Sequence, residues 1–353
     1  MKSSLGRGGR CALPVLFLTA AFALPGGVVA ESGDMTAQPL PALMAQRLHK
    51  ATMVGIAEAG DRLVAVGDYG VIQVSDDKGA TWRQVPSPVS RMLNQVMFIN
   101  ANTGWAIGYD QVIMRTDDGG LTWNIQNFAA DPGWPLFNIF FLDDKRGFVT
   151  GERGTFLSTN DGGKNWTEVE TDLTSLGMHL NEIIALNSGC LLMVGEKGVI
   201  ASSTDEGQSW RLLATPYVGS WFGVKPYGET GAILYGLRGN VYVTDNVYDL
   251  VYEDMEEWDE YGRETITDPA ELAASGWTRL ENKRVDSFFG GDQLESGDVV
   301  LVGVNGTIMR SDISGKRMVE ISNPEDFQLG DAVLVGGELV VVGVGGIKQV
   351  SVQ

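Results

Sequence analysis

From about residue 50 onward, apolar residues in this chain come in short runs of four to six, bounded by Gly, Asp or Asn. One block reads Phe137–Leu142, Arg146–Thr150, Thr155–Ser158 and Trp166–Val169, rich in Val, Ile and aromatics. Runs of this length with turn residues between them predict β-strands. No stretch repeats its apolar positions with the 3.6-residue period of a long amphipathic helix. An all-β chain is expected.

The blocks recur. An apolar run closing on glycine and a short turn appears as VAVG-DYG (Val64–Gly70), WAIG-YDQ (Trp105–Gln111), GFVTG-ERG (Gly147–Gly154) and LLMVG-EKG (Leu191–Gly198). It returns as ILYG-LRG (Ile233–Gly239), VLVG-VNG (Val300–Gly306) and VVVG-VGG (Val340–Gly346). The first glycines stand at 67, 108, 151, 195, 236, 303 and 343, so the steps are 41, 43, 44, 41, 67 and 40. The long step marks an insertion, placed at 246–276. Five residues beyond each turn comes Ser75, Thr116, Thr159, Ser203, Thr244, Ser311 or Ser351. Seven markers in phase, at the period of one four-stranded sheet, predict a seven-bladed β-propeller.

Four copies carry a second marker, S/T-x-D-x-G-x-x-W, the Asp box. Its residues are Ser75, Asp77, Gly79 and Trp82; Thr116, Asp118, Gly120 and Trp123; Thr159, Asp161, Gly163 and Trp166; Ser203, Asp205, Gly207 and Trp210. The pattern suits a tight hairpin. Hydroxyl and carboxylate accept bonds from the turn's own N–H groups, the glycine takes a left-handed conformation, and the tryptophan begins the return strand. Each residue has a structural task, so the box points to repetition rather than catalysis. In the sixth copy Ser311–Met318 keeps only the serine and the glycine.

The ends of the chain refine this picture. Residues 1–30 combine Lys2, Arg7 and Arg10 with an apolar stretch over Cys11–Leu24 and the small residues before Glu31. That is a secretory signal peptide pattern, and an exported, periplasmic or lumen-like location is expected. Residues 31–43 read as a linker and 44–353 as the propeller. The last blade stops after its third strand, and Gln46-Arg-Leu48 resembles Thr278-Arg-Leu280. Met44–His49 is therefore expected to supply the missing outer strand and close the ring.

Charge and candidate chemistry exclude more than they suggest. The chain carries −19, and −22 without residues 1–30, which opposes nucleic acid and direct anionic-lipid binding. Removing residues 1–30 leaves Cys190 alone, so no intramolecular disulfide is expected. The boxed aspartates are too dispersed to share an ion, and the two histidines, His49 and His179, lie in different blades. No metal, cofactor or catalytic residue is expected. The enzyme to weigh is a sialidase, because Asp boxes also mark that family. Its arginine-bearing F/Y-R-I-P motif is absent, and Arg115 and Arg310 sit on third strands. A glycan-directed hydrolase or lectin is the alternative reading to a binding scaffold.

The G-E-R/K-G turns followed by S/T-x-D-G-G-x-x-W boxes resemble the photosystem II assembly and stability factor family over about Met44–Gln353, most closely over Gly67–Trp210. These are lumenal seven-bladed propellers with relatives in bacteria that do not photosynthesise. The resemblance implies a non-enzymatic assembly factor that binds a membrane protein or membrane complex, and a monomer is expected. In bacterial relatives that partner is often a resistance-nodulation-division type transporter. Photosynthetic members carry an arginine patch; Arg153, Lys197 and Arg238 match its turn positions here, against a strongly acidic background.

Propeller geometry puts the turns between second and third strands on the face that also carries the inter-blade loops. Arg153, Lys197 and Arg238 from the turns and Arg91, Trp134, Tyr217 and Trp221 from the loops are the expected partner-binding set. Arginine and large aromatics dominate interface energetics. The Asp boxes and the acidic insert at 246–276 are expected on the opposite face.

Overall fold

A computed structural model describes residues 39–44, 47–129, 133–254, 258, 263–323 and 326–351. Seven antiparallel sheets follow one another along the chain, six with four strands and the last with three. The third sheet, for example, runs Leu136–Phe141, Gly147–Gly151, Phe156–Thr159 and Thr167–Glu168. Inner strands of successive sheets pack side by side, and Met53–Ala59 packs on Leu329–Val335 to complete the ring. This is the expected propeller. The signal-peptide region and residues 31–38 lie outside the described residues.

The sequence pattern explains the layers. Second strands such as Val299–Gly303 and Leu191–Gly195 are buried along their whole length, because both faces of each are covered by neighbouring blades. Seven apolar clusters result, one in each seam between blades. Trp221, Leu234 and Val194 share the seam of blades 4 and 5. Met53, Ile56, Val340 and Val342 share that of blades 7 and 1.

The glycines that end the second strands are there for space. A Cβ on Gly67 would lie 2.1 Å from the Thr52 carbonyl oxygen, and one on Gly303 would lie 1.9 Å from that of Ser287. The second glycine of the turn adds a conformational demand. Gly70 has φ +70°, and a Cβ there would meet the Val89 carbonyl at 1.9 Å. Strand turn and inter-blade loop are thereby packed against each other on one face.

Each Asp box closes on itself as expected. In the first, Gly79 N–H donates to Ser75 Oγ at 2.8 Å, and Thr81 N–H and Oγ1 donate to the Asp77 carboxylate at 2.8 and 2.6 Å. Trp82 Nε1 donates to the Gly79 carbonyl at 3.0 Å. Blade 6, which lost the box, finds another carboxylate: Asp298 accepts from Ser311 Oγ and Ile313 N–H.

A second ring of bonds was not visible in the repeat. The third residue of several inner strands reaches to the next blade's inner strand. Gln95 accepts from Ile139 N–H, Asn138 from Ile183 N–H, Glu182 from Val224 N–H and Asp331 from Ile56 N–H. In blades 1, 5 and 6 the same slot is Gly55, Gly223 and Gly290. The Tyr235 phenol fills the space over Gly223, and the Asp331 carboxylate that over Gly290.

Two expectations are refined locally. Of the closing strand expected over Met44–His49, residues 45 and 46 lie outside the described residues, and Leu48–Lys50 is one 3-10 turn with Lys50 N–H on the Arg47 carbonyl. Leu48 and Ala51 pack on the apolar seam of blades 7 and 1, and the His49 carbonyl faces Gly346. Residues just before this turn are held by blade 1, through Ala42 N–H on Ser87 and Gln84 on the Leu43 carbonyl. Those backbone groups are therefore committed to blade 1.

The insert also departs from its expected face. It leaves the Asp-box side through the Val247–Asp249 turn, then runs along the outer strand Arg211–Leu212 of blade 4. Ala214 N–H donates to Val251 and Glu253 N–H to Leu212, while Arg211 lies 3.4 Å from the Tyr252 ring centroid. A two-residue outer strand leaves an edge to cover. The insert then reaches the inter-blade loops, where Val218 N–H donates to Thr265 Oγ1 and Ile266 N–H to the Pro216 carbonyl. It returns through the helix Pro269–Ala274, capped by Asp268, whose carboxylate accepts from Ala270 and Glu271 N–H.

Candidate partner-binding face

Six blades build the same turn between second and third strands, and its central residue is left-handed. That slot holds Tyr69, Asp110, Arg153, Lys197, Arg238 and Asn305, with φ between 53° and 59°. Tyr69, Arg153, Arg238 and Asn305 are exposed in that slot, while Asp110 and Lys197 are half-buried. Blades 3, 4 and 5 display cations in succession.

Arg153 is exposed. Its side chain is 64% exposed, lies 3.6 Å from Glu152 and stacks 5.6 Å from the Trp134 ring centroid. An exposed pair of this kind is worth little, so Glu152 does not remove Arg153 from solution. Trp134 is half-buried beneath it. Arg238 is exposed as well, and its N–H donates to Ser287 Oγ at 3.0 Å. Lys197 is half-buried, and its carbonyl accepts from Arg263 Nη1 at 2.9 Å. Arg91 is exposed but paired with Asp110 of the next turn.

Trp221 belongs to the interior rather than to the surface. Trp221 is fully buried, donates from Nε1 to Thr215 Oγ1 at 3.2 Å and meets Tyr217 edge-on at 5.4 Å. Tyr217 is half-buried in the same seam, and burial pushes its phenol up. Trp221 opens a strand whose first side chain points into the blade 4–5 seam, which is why a loop position misled the sequence reading. Two residues were missed. Arg263, from the insert, also pairs with Glu253 at 2.8 Å and lies 5.2 Å from the Trp258 ring centroid. Tyr69, 73% exposed, occupies the slot of Arg153 in blade 1; comparing that slot across all turns would have found it.

Inside the ring, inner strands line a cavity of about 480 Å³ with Phe137, Phe222 and Phe289 and, deeper, Lys225 among Glu182, Asp292 and Asp331. Burial opposes the charge on Lys225, but these surrounding groups outweigh it and favour the ammonium. Burial raises the Asp331 carboxyl to about 6 despite Lys225 and the backbone N–H groups it accepts. Among the described residues no cluster of His, Cys, Asp and Glu is arranged to hold a metal ion. Arg115 is committed elsewhere, to Asp117 and the Gly162 carbonyl.

Comparison with known proteins follows the geometry. Among curated relatives, the chain is 30% identical to the chloroplast photosystem II stability/assembly factor HCF136 of Arabidopsis thaliana, over 35% of this chain and 30% of that one. It is 29% identical to the photosystem II assembly protein Ycf48 of Thermosynechococcus vestitus (strain NIES-2133 / IAM M-273 / BP-1), over 35% of this chain and 36% of that one. The matches thus span about a third of these relatives' length. Solved structures share the fold. YCF48 bound to D1 peptide aligns over 90% of this chain and 100% of its own, with TM-score 0.60 and 16% identity. YCF48 from Cyanidioschyzon merolae aligns over 86% of this chain and 96% of its own, with TM-score 0.63 and 14% identity. The sequence profile described as photosynthesis system II assembly factor YCF48 matches residues 73–279, more than half of the chain. The chain belongs to that family.

Proposed function

We propose that this protein is a non-catalytic assembly factor whose turn-and-loop face docks an acidic segment of a membrane protein. The observation that carries the reading is the row of cations at one turn slot in three consecutive blades, with Arg153 and Arg238 projecting into solvent. Guanidinium groups bind carboxylates through paired hydrogen bonds, and a rigid turn holds them at low entropic cost. A related propeller is known with a D1 peptide bound, which supports a peptide segment as the ligand. The partner in the cell is a membrane complex, either a photosystem subunit or a resistance-nodulation-division type transporter. The net charge of −19 favours a protein segment over an anionic lipid surface. The protein acts as a monomer, exported by residues 1–30, with the propeller in the periplasm or an equivalent lumen.

The test is crosslinked capture from native membranes with identification of the captured subunit. The double variant Arg153→Ala, Arg238→Ala should lose that subunit while its thermal unfolding stays at the wild-type temperature. Capture should also weaken with added salt. Undiminished capture by the double variant would overturn the reading. Because the insert reaches Lys197, Arg263→Ala should weaken capture in part.

A further inference from the structure

The same face carries a second feature, in blade 1, where the turns display no cation. Leu43, Arg47 and residues 50–52, with Asp68, Tyr69 and Val71, line a cleft of about 510 Å³. Leu43, Tyr69 and Val71 form its apolar walls, and Arg47 and Lys50 stand at its rim. Leu43 is 85% exposed and Tyr69 73%. Neither is there through slack chain. The Leu43 carbonyl is tied to Gln84, and the left-handed Tyr69 donates its N–H to Asp68 Oδ1 at 2.8 Å. Fixed and exposed apolar side chains around a concavity mark an interaction site.

We propose that this cleft takes an apolar side chain of an acidic peptide segment, as a second anchor point on the face. The inference rests on the reading of that face as a partner surface. Charge complementarity selects the occupant. Arg47 and Lys50 are exposed and have no ion-pair partner among the described residues, so an apolar anchor flanked by carboxylates meets two available cations. A second copy of this chain would bring another −19 against the first. Tyr69 of the cleft occupies the same left-handed turn slot as Arg153 and Arg238.

The experiment is fluorescence anisotropy with three labelled peptides of equal length: an acidic peptide with a central leucine, the same with serine, and a lysine-substituted peptide with leucine. Wild type should bind the acidic leucine peptide at least about tenfold more tightly than the serine peptide, and the lysine peptide not at all. The variant Leu43→Ser, Tyr69→Ser should erase that gap and leave serine-peptide binding unchanged. Arg47→Glu, Lys50→Glu should weaken both acidic peptides. Arg153→Ala, Arg238→Ala should weaken both while the gap persists, so failure of the face and failure of the cleft give different results. A gap that survives Leu43→Ser, Tyr69→Ser would overturn the proposal, as would no gap in wild type. Two further results would overturn it: a gap that opens only on Met35→Ser, meaning the chain's own N-terminal segment fills the cleft, or a dimer that Tyr69→Ser dissociates.

Discussion

Replacing Trp221 with alanine should cost the fold stability rather than remove a binding contact. The indole is fully buried between blades 4 and 5, edge-on to Tyr217 at 5.4 Å and to Tyr242 at 5.6 Å, with Nε1 bonded to Thr215. Truncating a buried tryptophan costs about 3–5 kcal/mol. Each edge-to-face pair accounts for about 0.5–1.5 kcal/mol beyond area burial, which places this site toward the upper end. The Thr215 hydroxyl keeps its donor bond to the Tyr217 carbonyl at 2.9 Å, so it adds little. For a chain of 353 residues the loss corresponds to a fall of roughly 4–7 °C in Tm. Trp221→Phe keeps the packing, loses the N–H bond and should cost about 1–2 kcal/mol. Urea unfolding followed by near-ultraviolet circular dichroism measures both. Should Trp221→Ala unfold within about 1 kcal/mol of wild type yet lose partner capture, the residue would be a surface anchor and the packing argument wrong.

Two other perturbations separate the forces in the ring. Hydrogen bonds from Asn165 and from Ser209 hold Asp161 and Asp205 down to about 2, so the stability they confer is complete above about pH 4 and is lost as pH falls toward 2. Asp331 acts oppositely: with its carboxyl raised to about 6, the native state loses relative stability as pH rises from about 4 through 6. Asp331→Asn should therefore gain on wild type between about pH 4 and pH 7 in urea midpoints; a flat difference would contradict the buried carboxylate. Gly70→Ala, at φ +70° and with the Val89 carbonyl 1.9 Å from the new Cβ, should destabilise by about 3 kcal/mol in the same assay, and a neutral result would mean that the turn and loop are free to separate.

Local chemistry wrote the blades into the sequence. Strand length, the glycine that ends each second strand and the self-contained Asp box all depend on residues close in the chain. The observed strand Phe156–Thr159 accordingly falls within one residue of its expected bounds. The left-handed turn slot was equally legible, since Arg153 and Arg238 need only their own turn to reach solvent. What the sequence left open depends on contacts between distant segments. Trp221 is buried because Val194, Leu234 and Tyr242 surround it, not because of its neighbours in the chain. The insert crosses to the other face because the short outer strand Arg211–Leu212 offers an edge for it to cover. In each case a backbone or side-chain group found a partner that only the closed ring brings within reach.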